Sequence, residues 1–178
     1  MQHDIHSVAP EQTDIQHLGP AKIRNPMLAT HQGLGRCVHD NERVVMDPFS
    51  VGGAGPASGE AEFELAGPRD EIYFDPSKLK TAVVTCGGMC PGINSLVRAI
   101  VLQLHYIYGV KNVVGVRFGL QGFIPSYGHD LMELDPATVL GVHGRGGSFL
   151  GMSRGAQPID EVVDALERLN IGLLFMIG

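Results

Sequence analysis

The pattern of apolar and polar positions changes abruptly near residue 78. Before that point there is no long periodic segment, and seven of the eleven prolines fall there. After it, short runs rich in β-branched residues alternate with longer segments whose apolar residues recur at helical spacing. The pattern therefore predicts an irregular N-terminal extension over residues 1–78 and a regular α/β domain over residues 79–178.

The second region is predicted to contain three strands and two helices. In chain order they are a strand over 81–86, a helix over 93–108, a strand over 112–118, a helix over 158–170 and a strand over 171–177. Strands joined through helices pair in parallel with right-handed crossovers, so the predicted fold class is a doubly wound α/β layer with a mostly parallel sheet. The last strand is almost entirely apolar, which is typical of a strand covered on both faces. We therefore expect this chain to be part of a longer protein.

Several shorter features are also predicted. Asn94 is expected to cap the first helix, and Asp135-Pro136 is expected to open a short helix that reaches Val142. In the extension, short strands are expected at 43–46 and 71–74. The polar, His-rich start of the chain, up to about residue 25, is expected to be mobile.

A glycine-rich turn joins the first predicted strand to the first predicted helix. It reads Gly87-Gly-Met-Cys-Pro-Gly92 and is called the glycine loop below. Glycines let a backbone approach an anion, and a helix start offers unpaired N–H groups and a positive dipole end. The loop is therefore typical of a phosphate site, although a tight turn that needs glycines only for its conformation would look the same.

Two familiar phosphate-binding motifs do not match this loop. Gly87 and Gly92 have the glycine spacing of a P-loop, but Ile93-Asn94 replaces its lysine and hydroxyl residue. The dinucleotide fingerprint does not match either, because the glycines are not spaced as it requires. Arg117 also stands at the end of the second strand, where the fingerprint has an acidic residue. Arg117 is compatible with a phosphate contact and equally with a solvated charge at a strand end.

A second glycine-rich stretch, residues 144–155, carries Arg145 and Arg154 and is called the arginine loop below. A guanidinium offers a fork of donors that matches phosphate oxygens and remains cationic. Ligands of parallel sheets bind at the carboxyl ends of the strands, where both loops are expected to lie. The two loops together therefore favour a phosphate ligand over a surface salt bridge for Arg154.

Other candidate residues are weaker. Cys86 and Cys90 have no further Cys or His at zinc-site spacing, so apolar packing is favoured over a metal. Three cysteines are too few for a disulfide framework, and we expect a reduced, cytoplasmic protein. His143 fits a proton donor or, more commonly, a helix-end histidine.

Composition and charge exclude several classes of protein. The apolar fraction of 44% is that of a globular domain, and no apolar run reaches the roughly 18 residues of a membrane span. The start lacks the basic and apolar segments of a secretory signal. Nineteen acidic against thirteen basic residues give a net charge of -6 without a basic stripe, so nucleic acid is not an expected partner. An anion would have to bind in a local pocket that overrides this field.

Three separated motifs resemble the 6-phosphofructokinase family. They are Thr85-Cys-Gly-Gly-Met-Cys-Pro-Gly-Ile-Asn94, Gly146-Gly-Ser-Phe-Leu-Gly-Met-Ser-Arg-Gly155 and Leu174-Phe-Met-Ile-Gly178, in that order. The stretch Ala66-Gly-Pro-Arg-Asp-Glu-Ile-Tyr-Phe-Asp-Pro76 resembles the ATP-dependent subgroup of plants, protists and bacteria, which lies near the pyrophosphate-dependent enzymes.

The resemblance implies a three-layer phosphofructokinase-like fold, incomplete in this chain. It also implies phosphoryl transfer from ATP, with Mg²⁺, to fructose 6-phosphate, giving fructose 1,6-bisphosphate in cytoplasmic glycolysis. Gly87 would contact the nucleotide phosphates, Arg154 would reach the donor phosphates, Gly155 would lie along the nucleotide, and Gly178 would begin the family's G-G-D-G loop.

The family's magnesium-supporting and catalytic aspartates follow Gly178, so no catalytic or metal-binding residue is expected within this chain. The chain alone is therefore expected to be inactive, and the full-length enzyme to be an allosteric homo-oligomer. Pyrophosphate remains the alternative donor, and a non-catalytic nucleotide-binding fragment remains the alternative function.

Overall fold

The computed structural model describes residues 13, 15–30, 37–45 and 62–178. The chain divides into two compact units, Met1–Tyr73 and Phe74–Gly178. Much of the N-terminal stretch expected to be mobile lies outside the described residues, as does Met46 of the first predicted strand. The two units are described separately below.

The first unit contains short strands and one helical turn. They are strand β1 (Ile23–Arg24), helix α1 (Met27–Thr30), strand β2 (Arg43–Val45), strand β3 (Glu62–Glu64) and strand β4 (Glu71–Ile72). β1 pairs with β4 and β2 with β3, both antiparallel. β2 and β4 confirm the two strands predicted in this region. β1 and β3 were not predicted, because two or three residues are too few to show an alternating pattern.

The second unit is an α/β sheet with helices. Its elements are strand β5 (Lys80–Thr85), helix α2 (Ile93–Gln103), strand β6 (Asn112–Val116), strand β7 (Met132–Glu133), helix α3 (Ile159–Arg168) and strand β8 (Leu173–Ile177). The sheet order is β7-β6-β5-β8, with β5 parallel to both β6 and β8. The predicted parallel α/β layer is confirmed. Its antiparallel edge strand β7 was not predicted.

The central strand β5 is buried on both of its faces. Val83 belongs to one apolar cluster together with Val97 of α2. Ala82 and Val84 belong to the other cluster, together with Ala165 of α3. Because successive side chains of a strand point to opposite faces, the apolar run of β5 joins two helical layers to one sheet.

The end of α2 follows the sequence prediction closely. The helix continues into a π-helical turn at Leu104–Tyr108, and Gly109 ends it with a φ of 73°. Glycine suits this position because a left-handed residue after a helix is costly for any residue with a Cβ. Within the described part of the chain, no helix is both long and apolar enough to cross a membrane.

β8 lies at an edge of the described sheet, and its Met176 is 63% exposed. Cover on both faces was expected from a longer protein, so it stays a prediction. The short helix predicted after Asp135 is wrong. Residues 136–141 form consecutive turns rather than a helix, and a short 3₁₀ helix, Val142–Gly144, follows them. The Val139 N–H donates four residues back, to the Asp135 carbonyl, but the Leu140 N–H donates only three residues back, to Ala137, and Gly141 has a φ of 81° that interrupts an α-helical path.

Candidate functional site

The glycine loop leaves the sheet at the carboxyl end of β5. Gly87 has a φ of 73°, and a Cβ at this residue would meet open space. A side chain would therefore fit here sterically but would strain the backbone, so the local conformation favours glycine. The loop ends at Gly92, which has a φ of 88° and precedes the first turn of α2.

A cleft of about 490 Å³ opens between the glycine loop and the arginine loop. Its lining includes Gly87, Arg154 and Gly155, together with Cys86, Leu120 and Ser153. A neighbouring cleft of about 330 Å³ is also lined by Gly87 and Arg154. The structure thus brings together the three residues for which the family resemblance implies nucleotide contacts.

The two arginines of the arginine loop line different clefts. Arg145 borders a third opening of about 350 Å³, with His143 and Cys90 in its wall. Gly87 and Arg154 are absent from that wall. Of the two guanidiniums, Arg154 is therefore the one that shares a cleft with the start of the glycine loop.

Asn94 does not cap α2, contrary to the sequence prediction. The cap position is Gly92, and no side chain bonds there. Asn94 is only 5% exposed and bonds to the arginine loop instead. Its Nδ2 donates to the carbonyls of Arg145 and Gly147, each at 3.1 Å, and its Oδ1 accepts from the Phe149 N–H at 2.7 Å. The side chain therefore joins the start of α2 to the arginine loop.

Thr85 makes a second connection to the same loop. This last residue of β5 is 1% exposed, and its hydroxyl donates to the Gly151 carbonyl at 2.8 Å. The Ser148 hydroxyl lies 3.2 Å from the Thr85 hydroxyl. Sequence reasoning missed this role, because a threonine in a buried run was counted only as a β-branched strand former.

Phe118 packs against the arginine loop from the end of β6. Its backbone has a φ of 58°, and its N–H donates to the Leu150 carbonyl at 2.9 Å. A Cβ on Gly151 would lie 2.8 Å from the Phe118 ring, so this close approach requires glycine. The Arg117 guanidinium carbon lies 5.2 Å from the centre of the same ring, within cation–π range. Arg117 is exposed there, as the solvated-charge interpretation expects.

The cleft has little ionisable chemistry apart from Arg154. Burial raises the pKa of the Cys86 thiol, and a backbone hydrogen bond from Leu120 offsets this only in part. The thiol is therefore neutral at pH 7 and a poor nucleophile. None of the described lining residues is acidic. Among the described residues no group of three or more His, Cys, Asp or Glu could hold a metal ion, and the lining of these two clefts offers no carboxylate to Mg²⁺.

The mostly parallel sheet makes this unit an α/β domain, and the Arg154 guanidinium and glycine backbone line the cleft at its carboxyl edge. Residues 80–178, more than half of the chain, match the family model described as phosphofructokinase. The chain belongs to the phosphofructokinase family.

Three curated relatives are named ATP-dependent 6-phosphofructokinases. The Borreliella burgdorferi protein is 39% identical, covering 92% of this chain and 37% of the relative. The protein named ATP-dependent 6-phosphofructokinase 5, chloroplastic, of Arabidopsis thaliana is 41% identical, and the match covers 79% of this chain and 28% of the relative. The Trypanosoma cruzi protein is 45% identical, and the match covers 65% of this chain and 24% of the relative. This chain thus spans at most 37% of the length of these relatives.

Among solved structures, Pichia pastoris phosphofructokinase in the T-state aligns with 66% of this chain and 13% of its own length. The sequence identity is 26% and the TM-score is 0.48.

Proposed function

We propose that this chain supplies the phosphate-donor side of an ATP-dependent 6-phosphofructokinase. The observation that carries the proposal is the shared cleft, in which Gly87 and Gly155 lie with Arg154 at the carboxyl edge of the sheet. Charge-assisted hydrogen bonds from a guanidinium suit phosphate oxygens, and glycine backbone permits their close approach. In phosphoryl transfer, positioning and charge neutralisation supply most of the catalysis.

ATP is the proposed donor, and fructose 6-phosphate is the proposed acceptor. Leu120 gives the cleft an apolar wall, which suits a nucleoside triphosphate better than pyrophosphate, since pyrophosphate has no apolar surface. The names of the relatives favour the same donor. Pyrophosphate remains the alternative.

The described residues are proposed to bind the donor without completing the chemistry. No acidic side chain among them lines the cleft to accept the proton of a sugar hydroxyl. For the same reason we assign no Mg²⁺ ligand among the described residues, and Mg²⁺ would arrive with the nucleotide. The 178-residue chain is therefore expected to bind MgATP and to form no fructose 1,6-bisphosphate. A non-catalytic nucleotide-binding fragment would behave in the same way. Phosphofructokinase activity of a longer gene product would distinguish the enzyme from such a fragment.

The proposal extends to assembly and compartment. We expect a longer gene product to be a cytoplasmic homo-oligomer under allosteric control, as the family resemblance implies. One relative is named as chloroplastic, so cell fractionation is the appropriate test of the compartment. Light scattering of the purified protein tests the assembly.

Isothermal titration of the 178-residue chain tests the central claim. We expect saturable heat with MgATP, weaker heat with pyrophosphate, and no signal in a coupled assay for fructose 1,6-bisphosphate. Tighter binding of pyrophosphate would favour the alternative donor. No heat with either donor would refute the donor site. Formation of fructose 1,6-bisphosphate by this chain would refute the claim that it only binds the donor.

A further inference from the structure

Two buried polar side chains flank the glycine loop and hold the arginine loop. Thr85 immediately precedes the glycine loop, and Asn94 follows it by two residues. We call the side chains of Thr85 and Asn94 the loop clasp. Both are at least 95% buried, and both direct their hydrogen bonds to the arginine loop.

The clasp holds the arginine loop at two separate places. Asn94 bonds on both sides of the Gly146–Ser148 turn, and the Thr85 hydroxyl bonds to the Gly151 carbonyl. Phe118 packs on Gly151 as well, so the chain is confined at that residue. Arg154 follows this last contact by three residues.

We propose that Thr85 and Asn94 are positioning residues that hold Arg154 across the cleft from Gly87, ready for the donor phosphates. This inference rests on the proposed function. Neither Thr85 nor Asn94 lines the two clefts that contain Arg154, so their proposed effect is exerted through the arginine loop. A loop that is ordered before binding loses less conformational entropy on binding, so the clasp strengthens donor affinity.

β5 offers a matched pair of substitutions for the test. Thr81 lies on the same strand and is also fully buried, yet its hydroxyl has no hydrogen-bond partner within the described part of the chain. Thr85→Val and Thr81→Val each exchange a hydroxyl for a methyl group of nearly the same volume. They differ in whether a hydrogen bond to the arginine loop is lost.

We expect Thr85→Val to raise the Kd for MgATP roughly two- to tenfold, the effect of losing one buried hydrogen bond. Thr81→Val is expected to leave that Kd unchanged. Thr85→Ser retains the hydroxyl and is expected to restore binding to within about twofold of wild type. A role limited to stability would instead lower the melting temperature of Thr85→Val without changing the Kd of the folded protein.

A second measurement needs no nucleotide. Tryptic cleavage after Arg154 is expected to be faster in Thr85→Val than in Thr81→Val, because the loop is released. If Thr85→Val does not fold, Asn94→Ala replaces it, with faster hydrogen exchange at the Phe149 amide as the expected result.

The possible outcomes separate this inference from the proposed function. Equal Kd values for the two valine variants, in a chain that binds MgATP, would overturn the positioning role and leave the donor site intact. A wild-type chain that binds no MgATP would overturn the donor site and the donor role of the clasp together. Equal cleavage rates after Arg154 would show that the clasp does not hold the loop.

Discussion

The two ends of the central sheet carry clefts of similar size and opposite character. At the carboxyl edge, Arg154 lines a cleft of about 490 Å³ in which no described lining residue is acidic. At the amino edge, a cleft of about 460 Å³ is lined by Lys80 and Lys111, but also by Glu133 and Asp135. The amino edge has the larger number of cations, yet its own carboxylates compensate them.

This difference teaches that an anion site depends on uncompensated charge rather than on the number of basic residues. The chain as a whole has a net charge of -6, so its average field repels phosphate. A local cleft can reverse that field where a guanidinium faces backbone and no carboxylate competes for it.

Removing one cation from each edge gives the largest contrast. Arg154→Ala is expected to weaken MgATP binding by roughly 1.5–3 kcal/mol, or about 10- to 150-fold, because a hydrogen bond to a charged phosphate is lost. Lys111→Ala is expected to leave the Kd unchanged. Isothermal titration of both variants provides the check, and equal losses would place the donor away from the carboxyl edge.

The glycine loop can be tested for conformation and for binding separately. Gly87→Ala is expected to lower the free energy of unfolding by roughly 1–2 kcal/mol, because Gly87 has a φ of 73°. Gly88 also faces open space, but its φ lies outside the left-handed range, so Gly88→Ala should fold normally.

If the loop serves only as a tight turn, Gly88→Ala will bind MgATP as well as wild type. We expect weaker binding instead, because the added methyl group enters the cleft. Urea unfolding measures the first effect and titration calorimetry the second. A stable Gly88→Ala protein with unchanged affinity would support the simple turn.

The amino edge is expected to respond to acid rather than to nucleotide. The Thr138 N–H donates to the Asp135 carboxylate at 2.7 Å, and this hydrogen bond lowers the pKa of Asp135. A lowered pKa means that the ionised group stabilises the folded state above its ordinary pKa and loses this contribution as the pH falls through the lowered value.

At pH 7 the wild type should therefore have a higher free energy of unfolding than Asp135→Asn. This difference should shrink as the pH falls below about 4, near the ordinary pKa of an aspartate. Urea unfolding over a pH series measures this small effect. A difference that stays constant down to pH 2 would contradict it, and MgATP binding at pH 7 should be the same in both proteins.

The regular elements of the second unit could be predicted because their signals are local and repeated. Val97 and Val101 recur at helical spacing, and the apolar run of β5 is bounded by glycines. β7 could not be predicted in this way, since Met132–Glu133 is too short to show a period and its pairing with β6 is a tertiary contact.

The sequence predicts that the glycine loop and the arginine loop lie at the same edge of the sheet. It does not predict the hydrogen bonds that hold the two loops together. Asn94 precedes Val97 by three residues and Val101 by seven, so it falls on the buried stripe of α2. A polar residue in such a stripe indicates a buried hydrogen-bonding role, which was a usable signal. Its partners belong to residues more than 50 positions later in the chain, which no local pattern reveals.

The close approach of Phe118 to Gly151 has an evolutionary consequence. A methyl group at position 151 would press on the aromatic ring, so a larger residue there requires a smaller one at position 118, in addition to a change of the left-handed backbone at Gly151, whose φ is 74°. The two positions are therefore expected to change together among relatives, with alanine or serine at one accompanied by loss of the ring at the other. Such paired changes would show, in the sequences of relatives, that the contact between Phe118 and Gly151 holds the arginine loop beside the end of β6.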